Sequence, residues 1–331
     1  MNTKKIHIIH TSDIHGQLTK ESFSSLGDAR GGLSRVSTYI NTLKDQDKIV
    51  IDTGDILQGS PFTYYYKNQN DDKNLIAESL NLVGYDYFIP GNHDFNYGYP
   101  YFLSFTSQLN AHVLCANMKE GSIQPFLSYD IKTFDDINIA VIGLTNHFIS
   151  IWEPEKNIPN LTFLQPIDVL KQVLKNLKQK HEVDAIIVAY HGGVENDLNF
   201  GNPLGFQTGE NVGYDIFKTF EEIDILLTGH EHRMIMHQNN QRIVSQTGLR
   251  ANALSHITLT FEHRNNNTLK FIDGKHIDLN AYDENIDILH LLKASYQQCA
   301  TFINTPIGYS SERLLIQDGL NARIKPHAMV Q

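Results

Sequence analysis

Two rhythms of apolar residues organise this chain. Short apolar runs at 6–10, 49–51, 87–89, 137–144, 185–189 and 223–227, each running into a polar or glycine-rich segment, read as buried strands. Between them, residues 33–43 carry Leu33, Val36, Ile40 and Leu43 at helical spacing, and 74–83 and 168–180 also read as helices. Further on, 242–245, 253–261 and 269–277 alternate like sheet strands, 264–267 is a polar turn, and 284–301 is a late helix. Strands alternating with helices, then a strand-rich stretch, predict a mixed-sheet α/β sandwich. Tyr64, Tyr65 and Tyr66 stand consecutively, cannot share one face, and read as a helix that is part core and part surface.

The polar residues are placed as regularly as the apolar ones. Five clusters lie just past the C-terminal end of an apolar strand: Asp13-Ile14-His15, Gly54-Asp55, Gly91-Asn92-His93-Asp94, His191-Gly192 and Gly229-His230-Glu231-His232. That edge of an open α/β sheet is where ligands bind. Asp13 and His15, at i and i+2 on an extended strand end, would point to one side and reach one cation. His230 and His232 repeat the spacing, so Glu231 between them should point away. Asp55 has two oxygens and can bridge two metals, and the glycine before it lets the backbone come close. Asn92 adds an amide oxygen, a neutral ligand for a hard cation. Singly, such patterns arise by chance, and a lone histidine at a strand end is commonly structural. Five in order point to two divalent cations held around a phosphate.

Composition narrows the substrate. With 41% hydrophobic and 19% charged residues the chain can bury a sizeable core. Its 27 basic against 37 acidic residues give a net charge of −10, which opposes a broad polynucleotide-binding face. A small phosphorylated substrate is still admissible, because bound metal ions supply local positive charge. Cys115 and Cys299, the only cysteines, make neither a disulfide framework nor a thiolate site and are expected to be buried. No apolar run is long enough to span a membrane, and the segment after Met1 is too short and polar for a signal sequence. A soluble, cytoplasmic protein is the expectation.

Taken together, Asp13-x-His15, Gly54-Asp55, Gly91-Asn92-His93-Asp94, His191 and Gly229-His230-x-His232 resemble the calcineurin-like metallophosphoesterases. The opening Ile8-Ile9-His10-Thr11-Ser12-Asp13-Ile14-His15-Gly16 is close to the first signature of one branch, the bacterial 5′-nucleotidases and 2′,3′-cyclic-nucleotide 2′-phosphodiesterases. Gln58-Gly59-Ser60-Pro61 and Asn96-Tyr97-Gly98 are similar to the cyclic phosphodiesterases in particular, and the resemblance spans about residues 6–280. It implies a four-layer α-β-β-α sandwich with two mixed sheets. It also implies two divalent metal ions, Mn²⁺ ahead of Zn²⁺ or Fe. Asp13, His15, Asp55 and His232 would hold one; Asp55, Asn92, His191 and His230 would hold the other. His93 would be the catalytic histidine beside the phosphate, and Asn92 and His93 would contact the substrate.

The implied activity is metal-dependent hydrolysis of nucleotide-type phosphoesters, of the 2′,3′-cyclic nucleotide phosphodiesterase and 3′-nucleotidase kind. A 5′-nucleotidase, a nucleotide-sugar hydrolase or an inactive scaffold of the same fold are the alternatives. The scaffold is disfavoured because all seven ligand positions and His93 are filled. Two positions depart from the family pattern. Asp94 stands where the family usually has Glu, and Asn96 stands where many 5′-nucleotidases have an Asp paired with the catalytic histidine. Asn96 is read as the catalytic partner of His93, although an amide orients imidazole without stabilising its cation by charge. Residues 1–305 are expected to form the catalytic domain. Residues 306–331 are expected to be a linker and the start of a truncated nucleotide-binding domain, 321–327 resembling its beginning. The missing part would complete substrate binding, so the chain alone should cleave generic phosphodiesters while binding nucleosides poorly. Trp152 could line a loop near the cleft but reads as core, Arg30 and Arg35 read as capping or solvated, and the remaining histidines as structural or surface residues, His10 lying nearest the site.

Overall fold

Strand alternation decides the layering of this computed structural model, which describes residues 3–23, 30–69, 73–239, 241–262 and 268–309. In Thr3–Thr11, Ile6 and Ile8 face one side and Ile9 the other; in Lys48–Asp52, Ile49 and Ile51 oppose Val50. In Ala185–His191, Ile187 and Ala189 oppose Ile186 and Val188. Ile6, Ile8, Ile49, Ile51, Ile187 and Ala189 meet in one dry cluster between two sheets, since apolar faces of both must leave water. The outward faces are covered by helices. Ile9 and Val50 pack with residues of Leu33–Asn41, Leu75–Val83 and Ile286–Asn304, while Ile186 and Val188 pack with Pro166–Lys180 and Gly213–Thr219. The result is the expected four-layer α-β-β-α sandwich.

Each large sheet is mixed. The first runs Thr268–Asp278, Ala253–Glu262, Thr3–Thr11, Lys48–Asp52, Tyr87–Phe88, His112–Val113, and its last four strands are parallel. The second runs Met234–Asn239, Arg242–Thr247, Ile225–Thr228, Ala185–His191, Ile137–Thr145, Tyr129–Phe134, with antiparallel strands only at its edges. Local chemistry sets the helix starts. Ser60 and Thr63 form a capping box ahead of Pro61–Tyr66, and Asn74 and Asn285 each accept two backbone N–H groups of the helix that follows. Tyr66 is buried and Tyr64 exposed in the helix expected there. The elements that the pattern did not announce are short or lie at edges, among them Tyr99–Thr106, Ile149–Trp152, Gly213–Thr219, Tyr129–Phe134 and Met234–Asn239. The expected turn at 264–267 and residues 310–331 of the expected linker and second domain lie outside the described residues.

His10 is fully buried on its strand, with Nε2 on Thr53 Oγ1 at 2.9 Å and Nδ1 without a partner among the described residues. Burial, and secondarily His276, lowers its pKa from 6.5 to about 3. Between those values the unfolded chain binds a proton that the native chain refuses. The stability this group contributes is therefore complete above pH 6.5 and lost as pH falls toward about 3, at about 1.4 kcal/mol per pH unit. His10→Gln should flatten that part of the pH dependence of urea unfolding. An unchanged slope would mean that His10 takes up its proton in the native state.

Candidate metal centre

The chain presents its acidic and imidazole groups on unusual backbone. Asp13, His15, Asp55, His230 and His232 have φ of 54°, 50°, 61°, 74° and 57°, half of the ten non-glycine residues in the left-handed region among those described. Such conformations cost free energy and cluster at functional sites. They also correct the expected geometry. The first strand ends at Thr11, so Asp13 and His15 share a direction through left-handed turns and not through strand alternation. Hydrogen bonds between loops hold these turns: Asp13 N donates to Gly54 O at 2.9 Å, His15 N to Asp55 O at 2.8 Å and Arg250 N to Asp13 O at 2.8 Å. The Asp94 carboxylate accepts the N–H groups of Asp55, Ile56, Leu57 and Gly91 at 2.8–3.0 Å, so this residue ties two site loops together. A Cβ on Gly91 would lie 2.2 Å from Asp55 Oδ1 and 2.7 Å from His191 Cε1, which reserves the position for glycine.

The five clusters converge into two groups whose ligand-type atoms each fall within 4.8 Å of one another: Asp13, His15 and His232, and Asp55, His191 and His230. In the first, His15 Nε2 is 3.0 Å from His232 Nε2 and 4.0 Å from Asp13 Oδ1, and His232 Nε2 is 3.5 Å from Asp13 Oδ1. In the second, His191 Nε2 is 3.3 Å from Asp55 Oδ2 and 3.1 Å from Asn92 Oδ1. Asp55 Oδ2 is also 3.9 Å from His15 Nε2, which puts this one carboxylate between the groups.

Proton accounting shows what the arrangement lacks. His15 Nδ1–H is taken by the Gln58 carbonyl at 2.8 Å and His191 Nδ1–H by the Thr53 carbonyl at 2.5 Å. The Nε2 atoms are then turned inward, that of His191 toward Asp55 Oδ2 and Asn92 Oδ1 and that of His15 toward His232 Nε2. Asp55 Oδ2 is buried and has no hydrogen-bond partner among the described residues. His230 Nε2 bonds Glu210 Oε1 at 2.5 Å, leaving its Nδ1 lone pair. A buried carboxylate among inward-turned imidazole nitrogens calls for positive charge, carried either by a proton on imidazole or by a metal ion. Burial alone would lower the pKa of His191, but Asp55 overrides it and raises the value to about 10; burial would raise that of Asp55, and His191 drives it down. The negative charge that retains a proton on imidazole is the charge that would bind a divalent ion in its place. The mixed nitrogen and oxygen set suits Mn²⁺, Fe or Zn²⁺.

His93 stands beside both groups and belongs to neither. Its backbone N–H donates to Asp55 Oδ1 at 2.7 Å, its ring lies 5.1 Å from that of His15 between centroids, and its Nδ1 is 2.7 Å from Asn96 Oδ1. Glu231 turns away, accepting from Val194 N at 2.7 Å, and Arg35 caps the Gly31 carbonyl at 3.0 Å. Both cysteines are buried and free.

Trp152 corrects an expectation. It is 39% exposed and stacked on His230, with centroids 5.2 Å apart and planes at 21°. A large apolar ring suggested core, but in the one-turn helix Ile149–Trp152 only Ile149 is buried. Glu210 went unnoticed because it reaches His230 from a loop twenty positions earlier. The Glu195 carboxylate shapes that loop by accepting the N–H groups of Thr208, Gly209, Glu210 and Asn211 at 3.0–3.1 Å. No local spacing signals either contact.

Residues 6–234 match the family described as Calcineurin-like phosphoesterase. A 2′,3′-cyclic-nucleotide 2′-phosphodiesterase/3′-nucleotidase of Haemophilus influenzae is 24% identical over an alignment 365 positions long, gaps included, covering 95% of this chain and 53% of that protein. The trifunctional nucleotide phosphoesterase protein YfkN of Bacillus subtilis is 26% identical over 249, covering 69% and 16%. Among solved structures, a Staphylococcus aureus protein provisionally named a 5′-nucleotidase, in complex with α-ketoglutarate, superposes with a TM-score of 0.87 at 31% identity, covering 98% of this chain and 64% of that one. The chain thus spans about half the length, or less, of these two curated relatives.

Proposed function

The chain belongs to the calcineurin-like phosphoesterase family, and we propose from that premise that it is a hydrolase of small nucleotide-type phosphoesters working with two divalent metal ions. Asp13, His15, Asp55 and His232 would hold one ion and Asp55, Asn92, His191 and His230 the other, with Mn²⁺ the first choice of metal. The observation that carries this reading is the convergence around Asp55 Oδ2, a buried carboxylate oxygen without a hydrogen-bond partner among the described residues that lies between the His191 and His15 imidazole nitrogens, one from each group. When bound, such an ion pair neutralises phosphoryl oxygens and lowers the pKa of water. The chain's own residues do the rest. The Gln58 and Thr53 carbonyls and the Glu210 carboxylate fix His15, His191 and His230 in the tautomers that offer a lone pair. His93, its Nδ1–H taken by Asn96, keeps Nε2 for the substrate, and once Nε2 has taken up a second proton the ring donates to a phosphoryl oxygen or protonates the leaving alkoxide.

For the substrate we favour 2′,3′-cyclic nucleotides and 3′-nucleotides. Support comes from Asn96 beside His93 and from the Haemophilus relative, aligned over 95% of this chain. The second reading, a 5′-nucleotidase or nucleotide-sugar hydrolase, draws on the name of the Staphylococcus structure. Residues 1–305 serve as the catalytic domain, and a nucleotide-binding domain following it would complete base recognition, in keeping with the longer relatives. Among the described residues no helix is long and apolar enough to cross a membrane. A cytoplasmic location fits the two free, buried thiols. The deciding experiment compares kcat/KM for 2′,3′-cyclic AMP, 3′-AMP, 5′-AMP and UDP-glucose with the Mn²⁺-loaded protein. The cyclic diester should lead 5′-AMP by at least about tenfold, roughly 1.4 kcal/mol of transition-state binding. The reverse order would favour the second reading, and inertness toward all four would favour a scaffold.

A further inference from the structure

We propose that Glu153 is a positioning residue for the histidine beside the metal centre, acting through Asn96; the inference rests on the reading of His93 as catalytic. Glu153 is half-buried just after the one-turn helix Ile149–Trp152. Its Oε1 accepts a short hydrogen bond from Asn96 Nδ2, and its Oε2 accepts from Asn157 Nδ2 at 3.0 Å. Asn157 Nδ2 also lies 3.2 Å from the Asn96 carbonyl, and the Asn157 carbonyl takes the Tyr99 N–H at 2.7 Å, which braces the loop against the site.

A chain of donors and acceptors follows from that contact. An ionised carboxylate can only accept, so Asn96 must turn its NH₂ toward Glu153 and its Oδ1 toward His93. An amide oxygen can only accept, so His93 Nδ1, 2.7 Å away, must carry the proton. Nε2 is then the nitrogen left for the substrate. Without Glu153 the amide could turn over, present NH₂ to His93 and select the opposite tautomer, with Nε2 protonated in the neutral ring. An aspartate at this position would orient the ring and supply negative charge by itself. Here the two tasks are divided, with the amide touching the ring and the carboxylate standing one link behind. The same segment reaches the second metal group, because Trp152, the neighbour of Glu153, stacks on His230. Residues 149–157 thereby brace His93 and His230 together.

Exchanging the amide and the carboxylate tests this arrangement. Asn96→Asp alone sets two carboxylates in hydrogen-bond contact. Glu153→Gln alone leaves one of the two amides, Asn96 or Asn157, without its acceptor. When Asn96→Asp and Glu153→Gln are combined, the introduced carboxylate accepts from His93 and from the NH₂ of the introduced amide. The oxygen of that amide keeps the bond from Asn157, and the net charge is that of the parent. With Mn²⁺ and bis(p-nitrophenyl) phosphate, each single change should lower kcat about tenfold or more, a part of the roughly hundred- to ten-thousandfold that a positioned acid–base group supplies. KM and metal content should hold, and the double variant should return to within about threefold of the parent, far from the product of the two losses that independent sites give. A double variant as impaired as that product, or a Glu153→Gln with unchanged kcat, overturns the proposal. His93→Asn, assayed beside them, separates the two readings. If it stays active, the catalytic assignment of His93 falls; if it is inactive and no rescue occurs, only the role of Glu153 falls. A second measurement does not depend on how the variants fold. Long-range ¹H–¹⁵N spectra of the unaltered, Zn²⁺-loaded protein should show neutral His93 protonated on Nδ1. Protonation on Nε2 contradicts the proposal.

Discussion

Replacing Asp55 by Asn should reduce Mn²⁺-dependent hydrolysis of bis(p-nitrophenyl) phosphate by at least the roughly 10²–10³-fold that loss of one transition-state contact costs, in a protein that still folds. The parent carboxylate accepts the His93 N–H on Oδ1 at 2.7 Å, which an amide oxygen can continue to do. Its other oxygen, Oδ2, has no donor among the described residues and faces His191 Nε2 at 3.3 Å. An Asn NH₂ in that place would donate to the imidazole and satisfy both groups without a cation. The variant therefore pairs this position without positive charge, and it removes the charge that attracts metal. Activity should collapse while the metal-free protein, though it loses the attraction between Asp55 and His191, still unfolds cooperatively in urea. A variant that keeps its activity would show that Asp55 does not bridge, and one that no longer folds without metal would show that Asp55 is chiefly structural.

His93→Asn should lower kcat by about 10²–10⁴-fold, the range for a positioned acid–base group, while metal stoichiometry remains that of the parent. The contrast with Asp55 comes from placement. The His93 ring stands outside both metal groups, and its contact with Asp55 runs through the backbone N–H, which the substitution preserves. Loss of metal together with activity would make His93 a ligand, and unchanged kcat would move the proton donor elsewhere.

What repeats along the chain was legible in the sequence. Ile6, Ile8, Ile49, Ile51, Ile187 and Ala189 keep strict alternation because each strand is buried between a second sheet and a helical layer, and that pressure is visible residue by residue. The strand-end clusters were legible for a related reason, since Asp13, Asp55, Asn92, His191 and His230 follow directly on those apolar runs. Contacts fixed by tertiary geometry alone were not legible. Glu210 on His230 and Glu153 on Asn96 join loops separated by 20 and 57 positions. Trp152 was misplaced because a one-turn helix has too few residues to show a period, so its apolar letters carried no face. The left-handed backbone at Asp13 and His15 was hidden as well, because a loop between packed strands imposes it and side chains that merely tolerate it do not announce it.

The central claim is that one carboxylate, Asp55, joins two metal ions, and magnetic coupling reads that most directly. Electron paramagnetic resonance of the protein, equilibrated with Mn²⁺ and freed of excess, should show two ions per chain with the multiline signal of an exchange-coupled pair, and Asp55→Asn should abolish the coupling. One ion per chain, or two ions that behave as isolated Mn²⁺, would contradict a shared bridge.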